Sequence, residues 1–198
     1  VFILQNRSRY SSLTYSWLKF KNKLVIQFWM FQNCFPNTLD TTVFYSNESG
    51  DDDTFVITGD IEAMWLRDSA AQVWPYLRYI NEDEPLRRLI RGVILRQIKC
   101  ILIDPYANAF NNGPTGGEWQ SDNTTMKLEL HERKYEIDSL CFPMMLAEAY
   151  AEKHGREEIM TEEFKKAIRT IVEVFKTEQH HESQEHGKCF FHCFSPLY

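Results

Sequence analysis

Apolar residues recur at helical spacing through the middle and C-terminal half of this chain. Leu86, Leu89, Ile90, Val93, Ile94, Gln97, Ile98 and Ile101 follow an i, i+3, i+4, i+7 pattern. They predict a helix that opens near Pro85, a residue suited to a first turn. Arg87, Arg88, Arg91 and Lys99 fall largely off that stripe and are expected on a solvated face. Asp104-Pro105 should end the element. A second helix is predicted over about Tyr135–Lys153, with Ile137, Leu140, Cys141, Met144 and Ala147 or Ala151 inward and Gly155 as its cap. A third runs from Thr161, an N-cap followed by Glu162 and Glu163, to about Glu178. Its stripe reads Phe164, Ala167, Ile168, Ile171, Val172 and Phe175. Upstream, Ala70, Val73, Trp74 and Leu77 share one face, and Pro75 should kink or shorten that element.

The other periods are weaker. A helix over roughly Leu13–Phe31 fits the apolar content but has no clean repeat. Asn33 to Val43 reads as a loop, and residues 46–53 as a polar, acidic turn. Thr54–Thr58 is a short β-type run that could pair with Val43–Tyr45 in a small hairpin. Residues 104–133 read as one long loop, a length uncommon in a compact domain unless it is functional. The order is helix, short turn, helix, long loop, helix, short turn, helix, which makes two αα-hairpins. The expected fold class is therefore all-α, with a small β hairpin near the N-terminus. Long loops gathered at one end suit a helical toroid with its site at that end.

The totals of the 198-residue chain narrow the function. Net charge is −6 with no basic block, which argues against a nucleic-acid partner. No apolar run is long enough for a membrane span; Leu24 to Phe31 is short and interrupted by Gln27. Five scattered cysteines (Cys34, Cys100, Cys141, Cys189 and Cys193) do not form a disulfide framework, and Cys100 and Cys141 are expected as buried free thiols. Asn6, Asn47 and Asn123 each open an N-x-Ser/Thr sequon, which matters only in a secretory compartment; localisation stays unknown. His180, His181, His186, Cys189, His192 and Cys193 could be written as a zinc site, but the spacing fits no standard finger, so no metal site and no cofactor are expected.

The chemistry concentrates in Thr58–Ser69, which packs Asp60, Glu62 and Asp68 around Trp65 and Arg67 and runs into a helix. An indole covers the C–H face of a pyranose, while Arg and Asp take its hydroxyls through charge-assisted hydrogen bonds. The same residues could instead be an N-cap at Asp68 or Ser69 with a structural Asp–Arg pair. Two more acidic clusters fall at the same end: Asp104, Asn108, Asn111, Glu118, Trp119 and Asp122 in the long loop, then Glu132 to Asp138 at the next helix start. Carboxylate pairs beside Trp and Tyr are the machinery of glycosidic hydrolysis. Glu136 and Asp138 could equally be structural partners of Arg133 or Lys134.

The segments TGDIEAMWLRDSAAQVWPYL (58–77), DPYANAFN (104–111) and HERKYEIDSLCFP (131–143) closely resemble glycoside hydrolase family 125, as do NCFPNTLDTTV and EQHHES (178–183). The resemblance covers roughly residues 31–183 in order and spacing, with residues 1–30 and 184–198 as unmatched ends. It implies part of an (α/α)6 toroid and the lineage of metal-independent, inverting exo-α-1,6-mannosidases, with a mannose-containing oligosaccharide as partner. It implies that Trp65, Arg67, Asp68, Asn108, Glu136 and Asp138 hold the terminal sugar. In the family the general acid lies in an Arg-Pro-Ser-Asp-Asp segment beyond the EQHH piece, and the base is a Glu near the C-terminus. Neither segment is in this sequence, so no catalytic residue is assigned and the chain is expected to be a truncated product. The rival readings are an inactive sugar-binding or non-functional product and another six-hairpin glycosidase such as a glucosidase.

Overall fold

The computed structural model describes residues 23–179. The ends, with Asn6, most of the Leu13–Phe31 prediction, the EQHHES piece beyond Gln179 and the His/Cys tail, lie outside the described residues. The chain divides into two compact units, 1–43 and 44–198. In the first, helix α1 covers Lys23–Cys34 and α2 covers Asn37–Thr41, so the predicted Asn33–Val43 loop is partly helical. Thr41 and Thr42 each donate a hydroxyl back to the carbonyl four residues earlier, at 2.7 Å, which closes that short helix.

In the second unit, β1 (Val43–Ser46, which enters the unit at Phe44) and β2 (Asp53–Val56) form the expected two-stranded sheet. Strand β3 (Met64–Trp65) then leads without a break into α3 (Leu66–Val73). The helix thus begins before Arg67, not after Ser69. Its N-cap is Trp65, with no side-chain cap; Asp68 sits in the first turn and Ser69 donates its hydroxyl to the Leu66 carbonyl at 3.0 Å. Pro75 opens a 3-10 stretch, Trp74–Tyr79, because a proline cannot donate to an α-helical ladder. That change of pitch leaves Trp74 exposed while Ala70, Val73 and Leu77 stay buried.

Helix α4 (Glu84–Ile103) is the long helix predicted from periodicity, capped by Asp83, whose carboxylate accepts from Leu86 N–H at 3.0 Å. Its whole apolar stripe, Gln97 included, is buried. It packs on β2, on α5 (Ile137–His154) and on α6 (Glu162–Glu178). Thr161 caps α6 as predicted, accepting from Phe164 N–H at 3.1 Å.

Two buried faces differ from expectation. On α5 the inward residues are Ser139, Leu140, Pro143, Leu146, Ala147 and Tyr150. Ile137 is 60% exposed, because its neighbour Asp138 is turned to Arg67 and adjacent helical residues point about 100° apart. On α6 the face is Phe164, Ala167, Ile171 and Val174, with Ile168 and Val172 exposed. A wide apolar stripe offers two adjacent faces, and contact with α4 selects one.

The arginines of α4 are not a solvated face. Arg88 donates to Asp52 Oδ1 through Nε at 3.0 Å and Nη2 at 2.8 Å, Arg91 pairs with Asp51 and Asp52, and Arg96 grips both Asp53 oxygens. Arg87 binds Glu158 in the α5–α6 turn, which Tyr150 also reaches at 2.7 Å. The acidic 51–53 turn is thus the anion partner of one helix face. Burial alone would raise the Asp52 carboxyl, but the bonds from Tyr45, Arg88 and Arg91 outweigh it and hold it below its ordinary value.

The predicted loop at 104–133 contains structure the period did not show. Strands β4 (Ala109–Phe110) and β5 (Leu130–Glu132) join β3 in an antiparallel sheet of order β3-β4-β5. Strands of two and three residues are too short to register as alternation.

Candidate functional site

The small sheet aims two helix starts at each other. Strand β3 delivers α3 and its Arg67; β5 delivers the segment 133–136 and then α5 with Asp138. Past the strand ends the side chains meet. Arg67 Nη1 donates to Asp138 Oδ2 at 3.0 Å; Glu136 Oε2 lies 3.9 Å from the same nitrogen, and Asp68 Oδ2 lies 3.3 Å from Nη2. The Asp138 bond, with the charges of Asp68 and Glu136, raises the guanidinium further above its already high ordinary value. All four side chains are between 36% and 41% exposed, so the cluster opens to solvent.

Two carboxylate oxygens in that cluster, Asp68 Oδ2 and Asp138 Oδ1, are solvent-excluded and accept no hydrogen bond. Each carries unused acceptor capacity beside a guanidinium. Ser139 Oγ reaches Glu136 Oε2 at 3.4 Å. Trp65, half-buried on β3, meets the His131 ring edge-on at 5.2 Å between centroids.

Four of the six predicted residues, Arg67, Asp68, Glu136 and Asp138, are thus joined by their charges. Trp65 adjoins them in sequence and packs on His131. Asn108 is different: it is 1% exposed and its amide is engaged within the protein. Its Nδ2 donates to Glu132 Oε2 at 2.6 Å, and its Oδ1 accepts the Lys134 N–H at 3.1 Å. Burial would raise the Glu132 carboxyl, but the bonds from Lys134 and Asn108 prevail and hold it below its ordinary value.

The alternative partners offered by sequence go elsewhere. Arg133 pairs with Asp104 at 2.8 Å, both largely buried, and Lys134 pairs with Glu132. Asn111 sends its amide to the carbonyls of Gly116, Leu128 and Leu130, each at 3.1 Å, and so pins the loop. Asp60 accepts from Thr58 at 3.0 Å, and both Asp60 and Glu62 are exposed. In the second acidic cluster, Asp104, Asn108 and Asn111 are therefore engaged in bonds that hold the loop.

Sequence reasoning gave no site role to Gln97. Fully buried on α4, it donates from Nε2 to the Leu66 carbonyl at 3.1 Å and to Ser69 Oγ at 2.8 Å, fixing the turn that carries Arg67. The signal was present: a lone amide within an unbroken apolar stripe.

Comparison with known proteins gives concordant results. Residues 26–193 match the model of a family described as metal-independent alpha-mannosidase, GH125. The meiotically up-regulated gene 157 protein of Schizosaccharomyces pombe (strain 972) is 39% identical over 158 residues, which is 74% of this chain and 31% of that protein. A solved Streptococcus pneumoniae structure from a family of metal-independent alpha mannosidases, a non-productive substrate complex with alpha-1,6-mannobiose, is 43% identical, with a TM-score of 0.73. That match covers 77% of this chain and 35% of the other. The chain thus spans about a third of the length of these relatives. The likeness makes the helical hairpins part of an (α/α)6 toroid.

Proposed function

The chain belongs to the metal-independent alpha-mannosidases, glycoside hydrolase family 125, and from that premise we propose that its Arg67 cluster holds the terminal mannose of an α-1,6-linked oligosaccharide. The observation that carries the reading is a guanidinium shared by three carboxylates, with all four side chains more than a third exposed. Mannose hydroxyls can donate to carboxylate oxygens and accept from a guanidinium on that open face. Trp65, beside the cluster on β3, supplies an apolar surface for the sugar's C–H face. The mannobiose complex of the S. pneumoniae relative supports the same ligand class.

The reaction assigned to the lineage is exo-hydrolysis with inversion. An acid protonates the leaving oxygen while a second carboxylate, about 6.5–9.5 Å away, directs water to the anomeric carbon. Asp68, Glu136 and Asp138 converge on one cation, an arrangement for orienting a ring, not for flanking a bond. That arrangement gives none of these three carboxylates the acid or base role. The role of the cluster is positional: a ring held in register reaches attack geometry, and a ring displaced by 1 Å loses about 10²-fold in rate.

Calorimetric titration of the purified chain with α-1,6-mannobiose tests this. Saturable binding that Arg67→Ala removes is expected. A folded wild-type chain that takes up no heat at millimolar sugar would overturn the reading. Mannose release by the chain that Asp68→Asn, Glu136→Gln or Asp138→Asn abolishes while binding is retained would overturn the positional role.

A further inference from the structure

Asn108 occupies the crossing point of the small sheet. Its backbone carbonyl accepts the Leu66 N–H at 3.1 Å, and its side-chain Oδ1 accepts the Lys134 N–H at 3.1 Å. Leu66 immediately precedes Arg67, and Lys134 lies just before Glu136 in sequence. One residue on β4's leading edge therefore holds both segments that deliver the charged cluster. At 1% exposure its side chain is sealed from solvent, and hence from any ligand in the open cluster.

The direction of the amide matters. Only Oδ1 can accept from Lys134; a flipped amide would set an NH₂ against that N–H, donor facing donor. Glu132 decides the orientation. Its Oε2 takes the Nδ2 hydrogen at 2.6 Å, and its other oxygen is held by Lys134 Nζ. An ionised carboxylate is an acceptor only, so it admits a single amide orientation. Glu132 is itself anchored, because β5 pairs it with Ala109, the neighbour of Asn108.

We propose that Asn108, oriented by Glu132, is a positioning residue that sets Arg67 against Glu136 and Asp138 and makes no contact with sugar. This deepens the mannose-site reading and rests on it for its functional consequence, while its structural consequence stands without any ligand. Losing the amide's orientation frees the Lys134 N–H, lets the 133–136 segment move away from β4, and separates the carboxylates from Arg67. Pre-organisation of this sort is what a binding site loses first when its supporting hydrogen bonds go.

The test uses the full chain in four variants, with α-1,6-mannobiose affinity, melting temperature and a ligand-free crystal structure as readouts. Glu132→Gln keeps an acceptor for Asn108 but adds a donor that admits the flipped amide, and is expected to weaken binding less than Glu132→Ala does. Glu132→Ala releases the amide and is expected to weaken binding about tenfold with the chain still folded, on the order of one lost hydrogen bond. Asn108→Asp sets two carboxylates against each other and should break the Arg67–Asp138 bond. Adding Glu132→Gln to Asn108→Asp reverses the direction of that hydrogen bond and should restore both the bond and the affinity, a rescue that mere loss of packing would not show. If Asn108→Asp does not fold, Glu132→Ala decides alone: unchanged affinity, or an intact Arg67–Asp138 contact in its crystal structure, would overturn the proposal. If the wild-type chain binds no mannobiose yet the variants still open and reclose the Arg67–Asp138 contact, the sugar reading fails and the positioning role stands.

Discussion

Arg67 and Asp138 are 71 residues apart in sequence and 3.0 Å apart in space. Each stands in the first turn of its own helix, downstream of a strand of the same small sheet. The contact is made by a charge-assisted hydrogen bond at a site more than a third exposed, so its purpose is orientation more than stability. Arg67→Lys is expected to lower α-1,6-mannobiose affinity at least tenfold while the melting temperature falls by no more than a few degrees. A lysine is one point charge and cannot hold Asp68 and Asp138 on separate nitrogens of a fork. Calorimetry beside a thermal melt checks both halves.

Gly92 marks a second close approach. A Cβ there would lie 2.3 Å from Thr54 Oγ1 and 3.1 Å from the Thr54 nitrogen, where β2 crosses α4. Alanine is the better helix former by up to about 1 kcal/mol. The clash should win, because Thr54 Oγ1 is tied to the Leu89 carbonyl at 2.8 Å and cannot swing aside freely. Gly92→Ala is expected to destabilise the chain by about 1–3 kcal/mol, the range for overpacking. Urea denaturation measures it, and a gain in stability would refute the close packing.

Acid should loosen the β1–β2 hairpin through Asp52. Its carboxyl is held below the ordinary value of 3.8 in the folded chain. A depressed folded pKa contributes stability that is present above the unfolded value and is lost as pH falls through the folded one. Melting temperature should therefore fall as pH drops below about 4, and Asp52→Asn should flatten that part of the profile while lowering the plateau near neutrality. Melts at pH 7, 5, 4 and 3 in both proteins make the comparison.

Thiol reactivity should separate the cysteines by depth. Burial pushes the Cys100 thiol up to about 12, so it holds almost no thiolate at neutral pH. Cys34 is exposed and Cys141 half-buried, against the expectation that Cys141 would be fully inside. Cys100→Ser should leave the number of thiols labelled by Ellman's reagent in the native chain unchanged, and lower it by one in denaturant. Loss of a label under native conditions would show Cys100 to be accessible.

Much of this was legible in the residues. The α4 period, the Thr161 and Gly155 caps and the Pro75 break were local signals, each decided by hydrogen bonding and sterics within a few positions. The motif-bearing segments, taken in order, pointed to the family that the comparison then showed. Local signals failed where one residue had two partners to choose from. Arg88 and Arg91 read as solvent-facing because their acidic partners lie about 40 residues upstream. The engagement of Asn108 with Glu132 was equally hidden, because nothing in its neighbours reveals a carboxylate 24 residues ahead.

By itself, then, the sequence determined the helices, their caps and the family, because those follow from short-range periodicity and from motif order. Tertiary structure alone decided which face of α5 and α6 is buried, that the long loop folds into strands β4 and β5, and that Arg67 meets Asp138 while Asn108 stays sealed behind them. Each of those outcomes is a choice among partners of equal local merit, and only the packing of the whole chain breaks the tie.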